Sequence, residues 1–179
     1  FPYTPLFRSA CKEGGTRVAT LPGILEQSFI RGMSADYEEI WKTTKRLMNR
    51  QIKAKMCRIT TPSGTELELD IRYETVPSAG RIFKNGAFTN LPDGETSLYP
   101  YTVNGVLVAD TCGSIITEPT RVDIKDGFVT KIQNNASGKR LKKLLNDAAK
   151  KDGNRNAFGI AELGIGTNPT AKVTGSVLE

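Results

Sequence analysis

Glu66-Leu67-Glu68-Leu69-Asp70-Ile71-Arg72-Tyr73 alternates charged and bulky apolar or aromatic side chains without a break. A period of two puts Leu67, Leu69, Ile71 and Tyr73 on one face of a strand and the charges on the other; a helix would scatter them around its circumference. The stretch is therefore read as a half-buried strand. Pro62-Ser63-Gly64-Thr65 just before it is a turn signal that joins it to the run 54–61 as a hairpin. The same logic recurs downstream. Asn104-Gly105 stands between strand candidates 95–102 and 105–110, and Asp126-Gly127 between 121–125 and 128–132, both dipeptides that favour tight hairpin turns. Strand–helix–strand units with continuous apolar strands are absent, so the chain is predicted to be α+β, with mixed or antiparallel sheets built from hairpins and a few amphipathic helices.

Working outward, the period changes to 3.6. Tyr37, Ile40, Trp41, Thr44, Leu47, Met48 and Ile52 form a helical stripe over residues 35–51, with acids in the first turn, basic residues after them, and Ser34 as the candidate cap. A second helix is read over 24–33, a helix end over 5–15 followed by a brief strand at 17–21, and an amphipathic helix over 137–152. Residues 78–90 are polar and glycine-rich. The apolar run 157–166 reads as a buried strand, and a last short strand is expected over 171–178.

The 179 residues are 38% hydrophobic and 25% charged, the balance of an ordinary globular domain. The net charge of +6 is concentrated: 137–152 carries six basic against two acidic residues. Leu141, Leu144, Leu145, Ala148 and Ala149 stripe the same helix, so its lysines are a solvated face and no nucleic-acid partner is expected. The absence of histidine removes serine triads, imidazole bases and imidazole-ligated metal sites from what these residues supply unaided. Cys11, Cys57 and Cys112 are far apart and odd in number, which speaks against a disulfide framework or zinc knuckle and for reduced thiols. With no apolar run near the ~20 residues that span a bilayer and no signal-peptide pattern, a soluble, cytoplasmic protein without membrane partners is expected.

Two carboxylates stand out. Glu162 is the only charge in Ala157-Phe158-Gly159-Ile160-Ala161-Glu162-Leu163-Gly164-Ile165-Gly166; inside a buried strand it would need a cation, a metal or strong hydrogen bonds, and at a strand edge it would simply face water. Glu95 follows the tight turn Pro92-Asp93-Gly94, which sets it at the start of a strand. Gly164-Ile165-Gly166 is not a dinucleotide fingerprint, because Thr167-Asn168-Pro169 follows without the third glycine.

The words Asn90-Leu91-Pro92-Asp93-Gly94-Glu95, Val103-Asn104-Gly105-Val106-Leu107-Val108 and Ala161-Glu162-Leu163-Gly164-Ile165-Gly166-Thr167-Asn168-Pro169 resemble the metallo-aminopeptidases of the aminopeptidase T, aminopeptidase S and PepS group. The resemblance implies a leucyl-aminopeptidase-like hydrolase, dimeric, that releases N-terminal residues from a peptide substrate. It further implies two divalent ions per site (zinc, cobalt, manganese or magnesium), with Glu95 and Glu162 among their ligands. Catalytic residues are expected beyond Glu179. On this reading residues 1–22 are the tail of a preceding N-terminal domain and 23–179 part of the metal-binding catalytic domain without its C-terminal remainder, inactive by itself. The competing expectation is a non-catalytic binding or oligomerisation module. The two differ in one distance: the enzyme reading needs the Glu95 and Glu162 carboxylates within roughly 4 to 8 Å, the reach of bridging metals, and the module leaves them far apart.

Overall fold

The computed structural model describes residues 4–173 except Pro22 and Tyr73. Tyr73, Glu179 and residues 174–178 of the expected last strand lie outside the described residues; 171–173 are irregular. The elements in chain order are α1 (Thr4–Gly14), β1 (Val18–Thr20), α2 (Glu26–Met33), α3 (Tyr37–Gln51), β2 (Met56–Thr60), β3 (Glu66–Asp70), β4 (Thr75–Ser78), β5 (Phe88–Asn90), β6 (Glu95–Leu98), β7 (Thr102–Ala109), β8 (Thr120–Lys125), β9 (Phe128–Ile132), α4 (Ala136–Asp152) and β10 (Leu163–Gly166). The fold is α+β, as the sequence predicts. A five-stranded antiparallel sheet runs β2-β3-β7-β8-β9, a three-stranded antiparallel sheet runs β10-β6-β4, and β1 pairs with β5 in parallel.

The alternating stretch behaves as its period dictates. Leu67 and Leu69 are buried on β3 while Glu66 and Glu68 are exposed, and the Pro62–Thr65 turn closes the β2–β3 hairpin. Leu67, Leu69, Ile71, Val103, Val122 and Ile124 build the core with Leu98 of the three-stranded sheet, so the two sheets share one interior. Each such burial contributes about 1.5–3 kcal/mol. Asp70 departs from the alternation: it is 5% exposed, accepts a hydrogen bond from Arg72 Nε at 2.8 Å and pairs with Arg72 Nη2. The Arg72 guanidinium holds the Asp70 carboxyl below the usual carboxylate range.

Several local expectations are corrected. Asp126-Gly127 does turn β8 into β9, with φ of 51° and 79°. Asn104-Gly105 makes no turn; β7 runs straight through it, and β6 belongs to the other sheet. Gly105, at φ 124°, is needed because a Cβ there would stand 2.1 Å from the Glu66 carbonyl oxygen of β3. The signal for a turn is here a close approach between strands. Asp36, not Ser34, caps α3, accepting from Glu38 N at 2.9 Å and Glu39 N at 3.3 Å; Ser34 closes α2 instead. At the far end of α3, Ile52 is 59% exposed and Gln51 is buried. The run 157–166 is no continuous strand: a short 3-10 turn covers Asn156–Phe158, and β10 begins only after an exposed Glu162.

Candidate active site

The site is framed by a turn and a clamp. In the turn, Asp93 is a hub rather than a solvated loop residue. Its Oδ2 accepts from Ser78 Oγ at 2.7 Å, Gly80 N at 2.5 Å and Thr89 Oγ1 at 2.8 Å, and its Oδ1 from Gly94 N at 2.8 Å. The carboxylate thereby fastens the turn to the end of β4 and to β5. Tyr37, at the start of α3, accepts from Asp93 N and donates to Gly32 O, both at 3.3 Å. Burial, chiefly, pushes its phenol above the ordinary range, with the Asp93 backbone hydrogen bond opposing and the Asp93 charge adding to the rise.

The clamp is the Thr167-Asn168-Pro169 word. Asn168 Nδ2 donates to Gly32 O at 3.1 Å and to Asp93 O at 3.2 Å, and its Oδ1 accepts from Thr170 N at 3.0 Å and Thr170 Oγ1 at 2.8 Å. Thr167 N donates to Gly94 O at 2.7 Å. One amide therefore links the end of α2, the turn and the segment after β10. The glycines leave no slack: a Cβ on Gly94, whose φ is 139°, would stand 2.9 Å from Asn168 Cβ, and one on Gly32 would stand 2.4 Å from Pro92 Cβ.

This frame delivers Glu95 to the first position of β6, opposite Gly166 of β10 and Ser78 of β4. Glu162 stands just before β10. The two meet across Gly164, where a Cβ would lie 2.2 Å from Glu95 Oε1 and 3.9 Å from Glu162 Oε1. The two oxygens are thus no farther apart than those two legs laid end to end. Glu95 is half-buried and Glu162 exposed. Burial first, then the charges of Glu162 and Asp93, push the Glu95 carboxyl above the usual glutamate range. Among the described residues neither glutamate has an ion-pair partner.

Both glutamates line a cleft of about 860 Å³. Leu25, Ser28, Arg31 and Gly32 of the α2 region form one wall, the Leu91–Glu95 turn and Asn168 another, and Thr111, Cys112 and Lys172 also border it. Asp93, Asn168 and Arg31 are the members that sequence reasoning missed. Asp93 and Asn168 lay inside words already singled out, as turn residues; Arg31 carried no signal, being one of 25 basic residues.

As a donor set for a metal, the described residues contain no group of three or more His, Cys, Asp or Glu side chains. The pair Glu95–Glu162 fits part of a divalent shell: two hard oxygen donors, one partly desolvated, with no cation among the described residues ion-paired to either.

The fold and cleft define an α+β domain with a carboxylate-lined pocket, and comparison with known proteins says which family carries it. The model of the NicX family, described as 2,5-dihydroxypyridine 5,6-dioxygenase, matches residues 7–178, and the chain belongs to that family. Among solved structures, 2,5-dihydroxypyridine dioxygenase from Pseudomonas putida KT2440 is similar with a TM-score of 0.68 at 20% identity, over 95% of this chain and 49% of that one. The chain thus spans about half the length of that structure. AmpT from Thermus thermophilus gives a TM-score of 0.46 at 16% identity over 76% of this chain and 33% of the other. No curated protein matches.

The family assignment overturns the aminopeptidase expectation, and with it the hydrolase activity and the peptide substrate. The non-catalytic alternative gains no support either. The reason lies in what the shared words specify. Pro-Asp-Gly-Glu and Glu-Leu-Gly-Ile-Gly-Thr-Asn-Pro fix a turn, a clamp and a gap beside Glu95, which is a frame and not a reaction. No helix among the described residues is long and apolar enough to cross a membrane.

Proposed function

We propose that this chain contributes the cleft of a NicX-like dioxygenase that uses dioxygen to open a hydroxylated pyridine-type ring, with Glu95 and Glu162 as carboxylate ligands of a divalent ion. The observation that carries the reading is the convergence of two unpaired carboxylates across Gly164 in the cleft of about 860 Å³, in a chain of that family. A redox-active divalent ion bound there supplies the electron path between an electron-rich ring and dioxygen. The chain's own residues do the rest: Asp93 and Asn168 hold the turn and so the direction of Glu95, while Leu25 and Leu91 offer apolar contact to a planar ring. Both oxygen atoms of dioxygen end on the two carbons of the broken bond, so no external reductant is needed.

Glu95→Gln tests the metal half of this reading. In the metal-free chain, Glu95 is a carboxyl whose folded pKa is raised; its ionisation opposes folding, so its stabilising effect is present at low pH and lost as pH rises through the folded value. At neutral pH the amide should therefore leave the metal-free protein as stable or raise Tm slightly, at about 2–4 °C per kcal/mol. The same variant should bind ferrous or manganous ion at least tenfold more weakly by anaerobic calorimetry. Unchanged metal affinity in Glu95→Gln would sink the assignment.

A further inference from the structure

Resting on that reading, we propose that Arg31 is the substrate anchor of the cleft: its guanidinium donates to the ring oxygen that lies across the ring from the one facing Glu95 and Glu162.

Arg31 sits in the last turn of α2, and its backbone is fully engaged. Its carbonyl accepts from Thr170 Oγ1 at 2.7 Å, from Ser34 Oγ at 2.7 Å and from Ser34 N at 3.2 Å. The side chain is the opposite. Its Nε is shielded from water with no acceptor, and no carboxylate or carbonyl among the described residues takes any of its N–H groups. A donor deprived of both water and partner is costly, and an arginine is the side chain best shaped to hand that deficit to a ligand oxygen through a charge-assisted, two-pronged contact. Three carboxylates line the cleft, Asp93, Glu95 and Glu162, and Arg31 is ion-paired with none of them. The pocket therefore has uncompensated negative and positive groups, a pattern that suits a ligand with a metal-bound oxygen at one edge and an anionic oxygen at another. A 2,5-dihydroxypyridine has that form, because its two oxygens lie across the ring from each other. The α2 carbonyl end adds to the fit, since it favours a cation in that turn and holds the guanidinium there without neutralising it.

The test compares 2,5-dihydroxypyridine with 3-hydroxypyridine, which keeps one ring oxygen and lacks the one across from it. Binding to the 179-residue chain is measured anaerobically by calorimetry, with and without ferrous ion. A site built around a hydrogen bond rejects the ligand that cannot make it, so the wild type should prefer the dihydroxy ring by at least tenfold. Arg31→Gln should abolish that preference while leaving 3-hydroxypyridine affinity unchanged, and Arg31→Lys should restore part of it. Equal weakening of both ligands in Arg31→Gln, or a wild type that does not discriminate, overturns the proposal. Metal affinity in Arg31→Gln is read alongside: the carboxylate reading stands or falls on Glu95→Gln, so the two failures are told apart.

Discussion

Gly164 decides whether Glu95 can occupy the cleft. The gap beside its Cα is filled by Glu95 Oε1, 2.2 Å from where a Cβ would stand. A methyl group cannot share that space, and the carboxylate must swing aside. Gly164→Ala should therefore reduce divalent-ion affinity at least tenfold, about 1.4 kcal/mol, in a titration, while β10, paired on one side only to β6, keeps its place. Retained affinity with an unchanged carboxylate position would show that Glu95 does not need the gap. At this scale the sequence was informative about identity and silent about partnership. Glu95 and Glu162 could be picked out because a rigid turn and a lone charge are visible in one dimension. That they face each other depends on a register, Gly166 opposite Glu95, that pairs residues 71 positions apart.

Among the elements, β7 is where local signal and tertiary packing part company. Asn104-Gly105 has the composition of a hairpin turn, and the Asn104 side chain does cap a turn, though another strand's: its Oδ1 accepts from Asp126 N at 2.8 Å. Gly105 serves the sheet, letting β3 pass close at Glu66. Gly105→Ala should destabilise the protein by about 1–3 kcal/mol from the backbone conformation alone, with the clash added, and denaturant unfolding should show it as a lower midpoint. A change of under a few tenths would mean the strand relaxes around the methyl. The hairpins at Pro62–Thr65 and Asp126-Gly127 were legible because alternation and turn chemistry agree there. The β6 strand was misassigned because its partners, β4 and β10, are discontinuous with it in sequence and no local rule links them. The capping of α3 by Asp36 rather than Ser34 is a shift of two residues within one signal, small beside the placement of the stripe from Tyr37 to Met48, of which only the final Ile52 turns outward.

For the molecule as a whole, two carboxylates give the pH dependence opposite signs. Asp70 is held below the ordinary range by Arg72, so its contribution is present above the unfolded carboxylate pKa and is lost as pH falls through the folded value. Glu95 is shifted upward and acts the other way. Thermal scans from neutral to acid pH should show Asp70→Asn flattening the acid loss of Tm, and Glu95→Gln steepening it; parallel curves for Asp70→Asn and wild type would remove Asp70 from the account. The α+β class and the sheet-forming face were open to reading because each rests on a period or a turn. The reaction was not, because the words that carry the cleft's frame say nothing about which atoms enter it. Cys112, in the connection between β7 and β8, is exposed and borders the cleft, whereas Cys11 is buried and the Cys57 thiol is pushed up by burial. The native chain thus carries a thiol of its own for attaching a fluorophore beside the cleft, where the dye senses what enters and leaves without any residue being replaced.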